Sequence, residues 1–263
     1  MKKLLPSLRT AVIGWILFQI VGVLADLPFH FSVRSYPWNG PFGAMVGTFA
    51  VLVFYRWLRR PDFRGMLLDG ERAEGMRLTV LFWLYPLLVV LADCLVFRTP
   101  YTAPTLNSVS ISFVAGFGEE LCFRGLFLSE LMRHRPRPED LVPAALSSAL
   151  FFGLLHAANV LMGADLASTA FQTASSFLIG FFWAALFLRC GSLWPCILTH
   201  LVTDVVAMLA VSQSDGILTG GIDAPAVLDA VLRLGLCAVG VWLLRPEKRE
   251  EMVSLWAKKW RQT

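Results

Sequence analysis

Long apolar stretches, separated by short polar and basic segments, make up most of this chain. Eight of these stretches come close to the roughly 20 apolar residues that a transmembrane α-helix needs. No alternating strand pattern competes with them, and lipid does not tolerate an open sheet edge. The sequence therefore predicts an all-α fold, a polytopic transmembrane helix bundle of about eight spans. The predicted spans are residues 10–25, 41–57, 76–96, 109–132, 141–162, 168–188, 193–211 and 226–244.

Basic residues collect in alternate connections between the predicted spans. Three lie in the first nine residues, six between residues 56 and 77, three between residues 133 and 137, and six after residue 244. The intervening connections carry only Arg34 and Arg98. This alternation follows the positive-inside rule and predicts that both the N- and C-termini are cytoplasmic. It also suggests a bacterial inner (plasma) membrane.

The composition excludes an ordinary soluble domain. Of the 263 residues, 56% are hydrophobic and only 16% are charged, whereas a soluble domain is nearer one quarter charged. The net charge of +4 comes from the basic clusters between spans, so no nucleic acid partner is expected. We divide the single membrane domain into N-terminal helices at 1–108, a core at 109–211, and the last span with a basic amphipathic tail at 212–263.

Three ionisable residues interrupt the apolar pattern of the fourth predicted span. Glu119, Glu120 and Arg124 lie within six consecutive residues. Glu120 and Arg124 are spaced i,i+4, so they can pair on one face of a helix. Glu119 points about 100° away from Glu120 and lacks that partner. A structural ion pair therefore explains Glu120 and Arg124 but not Glu119, which is a candidate general base.

Two histidines lie in other predicted spans. His156 is in the fifth span, and His200 is in the seventh, four residues before Asp204. One such histidine alone is more often a satisfied core residue than a catalyst. Ionisable residues inside a membrane are nevertheless costly and mark function by default, and one polar cavity shared by three helices accounts for all of them. Carboxylates and imidazoles suit the activation of water, alone or on a metal, and hence hydrolysis of a peptide bond.

Three sequence patterns follow one another here: Glu119-Glu120-x-x-x-Arg124, Phe152-x-x-x-His156 and His200-x-x-x-Asp204. Together they resemble the signature of the type II CAAX prenyl endopeptidases. The wider group is the CAAX protease and bacteriocin-processing family of intramembrane proteases, which includes lysostaphin-resistance protein A-like proteins. The resemblance covers residues 109–211 and implies an all-α membrane protease, either a glutamate-dependent enzyme or a metalloendopeptidase.

The resemblance implies a role for each polar residue of the signature. Glu119 would activate the attacking water with the assistance of His156. His200 and Asp204 would stabilise the oxyanion or complete the site. The prenyl-endopeptidase branch carries Asn where this chain has Asp204, and an ionised Asp cannot donate to an oxyanion. We therefore interpret Asp204 as orienting His200 or helping to hold a metal, which weakens the prediction of a prenylated substrate.

Supporting residues, cofactors and partners follow from the same resemblance. Glu120, Arg124 and Phe152 would fix the geometry of the site. The resemblance leaves open whether a divalent metal such as Zn²⁺ is bound, and it implies no organic cofactor. The candidate metal ligands are Glu119, His156 and His200. The expected partners are the lipid bilayer and a peptide or protein substrate.

Two other functions are compatible with the same residues. A non-catalytic immunity or scaffold protein of this fold would keep the signature for folding alone. A proton-coupled transporter would also need buried Glu, His and Arg, although the chain shows no repeated halves.

Two further patterns lie outside the signature. Asp229 and Arg233 are spaced i,i+4 in the last predicted span and predict a structural ion pair. Residues 250–261 predict either an amphipathic helix at the membrane interface or a solvated basic tail.

Overall fold

The fold is known from a computed structural model. It describes residues 4–30, 41–59, 72–101, 103, 109, 112–113, 115–133, 136–209 and 222–260. Every regular element within these ranges is helical, which confirms the predicted all-α class. Most of the predicted connections at 26–40, 58–75 and 212–225 lie outside the described residues, as do parts of the fourth predicted span before residue 115.

Ten helical segments succeed one another through the described part of the chain. They are α1 (Leu4–His30), α2 (Pro41–Arg59), α3 (Arg72–Leu78), α4 (Leu84–Ala92), α5 (residues 115–131), α6 (Leu141–His156), α7 (Leu166–Cys190), α8 (Trp194–Leu209), α9 (Ala224–Leu243) and α10 (Pro246–Lys259). Wider π-type turns continue α4 over Asp93–Phe97 and form most of α5. A 3₁₀ turn continues α6 over Ala157–Met162.

Four helices in the described ranges are long and apolar enough to cross a membrane, judged by length and composition. They are Leu5–Ala25, Pro138–Leu161, Leu166–Cys190 and Ala224–Leu243. Three shorter apolar helices accompany them, at Met45–Trp57, Leu84–Phe97 and Trp194–Leu209. A helix satisfies its backbone hydrogen bonds internally, as the interior of a bilayer requires. These helices indicate an integral membrane protein, while the count of eight spans stays a prediction.

The third predicted span, residues 76–96, is not one continuous helix. Helix α3 ends at Leu78 and α4 begins at Leu84, with turns between them. Pro86 lies in the first turn of α4, where it has no N–H to donate to Phe82 and its ring crowds the Phe82 carbonyl. That carbonyl accepts instead from the Tyr85 N–H at 2.9 Å. The proline thus favours the break before α4.

Helix α7 occupies the centre of the bundle. In the most apolar stretch of α7, 67% of the residues are buried, whereas the corresponding share for α9 is 17%. Helix α7 packs against both α6 and α9. The Asp165 carboxylate caps its N-terminus by accepting from the Ser168 N–H at 2.8 Å. Gly191 ends the helix with φ +63°, a left-handed conformation that glycine adopts without steric cost.

The tail, predicted to be either an interfacial amphipathic helix or a solvated basic segment, contains helix α10, whose apolar residues pack against the bundle. The Trp256 indole N–H donates to the Leu188 carbonyl at 3.0 Å. The Trp260 indole N–H, one residue past the helix, donates to the Ser129 carbonyl at 3.0 Å. These two bonds anchor the tail to the ends of α5 and α7, so its tryptophans are buried by protein.

Candidate active site

Glu120 and Arg124 pair in α5, as their spacing predicts. Both side chains are fully buried, and Arg124 Nη1 donates to Glu120 Oε1 at 2.9 Å. Arg124 Nη2 donates to the Gly180 carbonyl of α7 at 2.8 Å. The guanidinium also lies over the Phe152 ring, 4.7 Å from its centroid, in a cation–π contact. These contacts hold α5 against α7 and thereby set the position of the adjacent Glu119.

Gly180 allows this close approach of Arg124 to the backbone of α7. A Cβ atom at Gly180 would lie 2.8 Å from Phe152 Cδ1 and 3.3 Å from Arg124 Nη2. The first distance is shorter than packed carbon atoms tolerate. The absence of a side chain at residue 180 therefore leaves the space that Phe152 and Arg124 occupy.

His200 of α8 contacts both Glu120 of α5 and Trp183 of α7. His200 Nδ1 lies 2.8 Å from Glu120 Oε1, and since a carboxylate only accepts, Nδ1 carries the hydrogen. The imidazole stacks on Trp183, with ring centroids 4.1 Å apart and planes inclined by 21°. The Trp183 indole N–H in turn donates to Thr199 Oγ1 at 2.9 Å. With the ring fixed in this way, Nε2 is the nitrogen left to meet a reactant.

Two carboxylates flank His200 Nε2. Glu119 Oε2 lies 3.9 Å away and Asp204 Oδ2 lies 3.5 Å away. Within the described part of the chain, Glu119 Oε2 has no hydrogen-bond partner. A buried carboxylate oxygen without a partner is costly unless water or a ligand meets it. Glu119 therefore has an oxygen whose hydrogen-bonding capacity is unused among the described residues.

His156 is the last residue of α6. Its Nδ1 lies 3.1 Å from the Phe152 carbonyl; a carbonyl only accepts, so Nδ1 donates and Nε2 of the neutral ring is an acceptor. The Phe152 ring touches both imidazoles, with centroids 5.1 Å from His156 and 5.7 Å from His200. Phe152 thus supports the two histidines from one side.

A cavity of about 300 Å³ lies between these helices. The four residues predicted as catalytic all line it, together with Phe152. Those four are Glu119, His156, His200 and Asp204. Glu120 and Arg124 lie behind the wall of the cavity, fully buried. The volume is at the lower end of the range for ligand sites, and it suits a short stretch of peptide.

A second charged cluster lines the same cavity. Arg233 Nε lies 2.7 Å from Asp229 Oδ2 on α9, and the Tyr85 hydroxyl of α4 donates to Asp229 Oδ1 at 2.5 Å. The i,i+4 spacing predicts the Asp229–Arg233 pair. Its exposure to the cavity and its contact with Tyr85 were not predicted, because nothing in the sequence shows how α9 is rotated against α4.

A bound metal ion is the alternative to Glu119 alone as the activator of water. Among the residues that the structure describes, no group of three or more His, Cys, Asp or Glu side chains is arranged to hold a metal ion. Glu119, His156 and His200 do not form such a group in the described part of the chain, and we derive no step through a metal.

Comparison with known proteins supports the family resemblance. Residues 101–206 match the model of a family described as type II CAAX prenyl endopeptidase Rce1-like. This confirms the resemblance predicted from the signature and covers 106 of the 263 residues. No curated protein and no solved structure matches the chain. The matched segment contains Glu119, His156, His200 and Asp204, whereas the cluster of Tyr85, Asp229 and Arg233 lies outside it.

Proposed function

We propose that this protein is an intramembrane endopeptidase that hydrolyses a peptide bond of a membrane-associated protein or peptide. The observation that carries the proposal is Glu119 Oε2, a buried carboxylate oxygen without a hydrogen-bond partner among the described residues. Glu119 lines a cavity together with His156, His200 and Asp204. The family match over residues 101–206 supports the same class of reaction.

Glu119 acts as the general base in this proposal. It takes a proton from a water molecule in the cavity, and the oxygen of that water forms a bond to the carbonyl carbon of the substrate. The tetrahedral intermediate then collapses with cleavage of the C–N bond. The proton held by Glu119 passes to the leaving amine, which restores the carboxylate.

The two histidines and Asp204 complete the site around this water. His156 Nε2 is an acceptor and can hold the second hydrogen of the water. His200 Nε2 lies between Glu119 and Asp204, so a proton on this nitrogen would be attracted by both carboxylates. Asp204 can orient His200 only when Nε2 carries a proton, because an ionised carboxylate accepts hydrogen bonds and cannot itself donate to an oxyanion.

Glu120 and Arg124 hold the site together without touching the substrate. Glu120 accepts from both His200 and Arg124. Arg124 is bonded to the backbone of α7. A change at either residue would move Glu119 and His200 relative to each other, and small displacements of reacting groups are costly in rate.

We also propose eight membrane spans with both termini cytoplasmic, in a bacterial inner membrane. Four candidate spans and three shorter apolar helices account for seven of them. Helix α5, which carries Glu119, would be the eighth. The alternation of basic residues along the chain supports the orientation.

Replacement of Glu119 by Gln tests the reaction, because Gln keeps the shape of the side chain but is not a base. Purified wild type and Glu119→Gln are placed in liposomes with a library of membrane-anchored peptides, and products are identified by mass spectrometry. We expect the wild type to cleave and Glu119→Gln to be at least about 10²-fold slower. Glu247→Gln, exposed on α10, is the matched control and should cleave like the wild type. Equal rates for Glu119→Gln and wild type would refute the proposal.

The same assay addresses the metal alternative. After dialysis of the protein against a chelator we expect cleavage to persist, because the described donor side chains are not arranged as a metal site. Loss of cleavage that Zn²⁺ restores would instead assign the metal a role in the reaction.

A further inference from the structure

Tyr85, Asp229 and Arg233 have no part in the reaction above, yet all three line the same cavity. They come from α4 and α9, outside the segment that matches the family. The side chains of Arg233 and Asp229 are 16% and 24% exposed, so the pair is not sealed in the bundle. Ionisable residues within a candidate membrane span such as α9 are costly and mark a functional site by default.

The cavity otherwise contains more negative than positive charge. Arg233 is the one arginine or lysine among the described residues that line it. The carboxylates on its wall are Asp93, Glu119, Asp204 and Asp229. Peptide hydrolysis passes through an anionic tetrahedral intermediate, which needs hydrogen-bond donors or positive charge beside its oxygen.

The ring N–H donors of the two histidines are engaged elsewhere. The Nδ1–H of His156 points to the Phe152 carbonyl, and the Nδ1–H of His200 points to Glu120. In the neutral rings the remaining nitrogens are acceptors. Asp204 has no donor when it is ionised. None of these groups stabilises an oxyanion without first gaining a proton.

Asp229 restrains one edge of the Arg233 guanidinium. The Nε atom of Arg233 lies 2.7 Å from Asp229 Oδ2 in an ion pair, and a guanidinium carries further N–H groups on Nη1 and Nη2. The Tyr85 hydroxyl holds the other oxygen of Asp229. Arg233 lines the same cavity as Asp204 and His156. The guanidinium is therefore restrained at one edge and shares a cavity with the proposed catalytic groups.

We propose that Arg233 stabilises the anionic tetrahedral intermediate, with Asp229 and Tyr85 as the residues that position its guanidinium. This inference rests on the proposed peptidase function. It assigns a catalytic role to α9, which the family match does not include. The charge of Arg233 is permanent, so its action requires no proton transfer during the reaction.

Arg233→Gln removes the charge and tests the inference in the liposome assay. We expect kcat to fall by about 10²–10³-fold, as for the loss of one oxyanion donor, while KM changes less than about threefold. Arg233→Lys keeps the charge and should retain more activity than Arg233→Gln. Arg137→Gln is the matched control, since Arg137 is exposed and is not among the residues that line the cavity, and it should behave like the wild type.

A second variant guards against a merely structural effect. In Arg233→Ala, added guanidinium chloride should restore kcat, because the ion can occupy the space of the lost side chain. Failure of guanidinium to restore any activity, or a raised KM with unchanged kcat in Arg233→Gln, would overturn the inference.

The outcomes also separate this inference from the proposed function. Fully active Arg233→Gln beside inactive Glu119→Gln overturns the role of Arg233 alone. An inactive wild type, or Glu119→Gln as active as wild type, overturns the peptidase proposal and this inference with it.

Discussion

Arg124→Ala is expected to destabilise the folded protein by about 3–5 kcal/mol, the usual cost of breaking a buried ion pair on one side. The arginine is fully buried, and its loss removes the 2.9 Å bond to Glu120 and the 2.8 Å bond to the Gly180 carbonyl. A buried polar group left without its partner costs about 1–3 kcal/mol. Because His200 still bonds to Glu120 at 2.8 Å, we expect a value in the lower part of the range.

Heat unfolding in detergent, followed by the loss of helical circular dichroism, measures this effect. For a protein of this size, a loss of about 3 kcal/mol lowers the midpoint by roughly 6–12 °C. The double variant Glu120→Gln/Arg124→Met removes both charges and should be less destabilised than Arg124→Met alone. Arg137→Ala, at an exposed position, serves as the control and should leave the midpoint unchanged. A midpoint for Arg124→Ala equal to that of the wild type would refute the buried pairing.

Three further predictions concern packing, topology and pH. Gly180→Ala should lower stability by about 1–3 kcal/mol through overpacking, since its Cβ would lie 2.8 Å from Phe152; an unchanged unfolding midpoint would contradict this packing. A reporter fused to the C-terminus should be cytoplasmic and one inserted at residues 213–221 should be outside; both on one side would overturn the eight-span topology. Hydrogen bonds to Asp165 hold the pKa of its carboxyl below the ordinary 3.8. The stabilisation of α7 by this cap is therefore complete above about pH 4, and it is lost as the pH falls through the lowered pKa. The wild type should thus exceed Asp165→Ala in unfolding midpoint at pH 7, by a margin that shrinks in acid; a pH-independent margin would count against the cap.

The spacing of residues along the sequence determined the local pairs of this protein. Glu120 and Arg124 meet as predicted, and so do Asp229 and Arg233. The geometry of the α-helix places residues four positions apart on one face whatever surrounds the helix. The length of the apolar runs likewise determined the helical membrane class, because lipid admits few alternatives to a helix with satisfied backbone bonds.

The break before α4 shows that a proline can matter more than hydropathy. The apolar pattern alone predicted one span over residues 76–96, whereas the chain breaks before α4. Pro86 was visible in the sequence, but hydropathy does not register its missing N–H. The presence of Pro86 did predict a kink or the start of a helix at this point of the chain, and α4 begins at Leu84.

Only the tertiary structure decided which helix faces meet. His200 bonds to Glu120 across 80 positions, and Tyr85 bonds to Asp229 across 144. In a membrane, the side chains that face lipid are as apolar as those that face another helix. The apolar pattern therefore does not reveal how a helix is rotated, and the rotation depends on how side chains such as Phe152 and Trp183 pack together. For this reason the sequence could predict an ion pair at Asp229 and Arg233, but only the packed bundle brings that pair to the wall of the candidate active site.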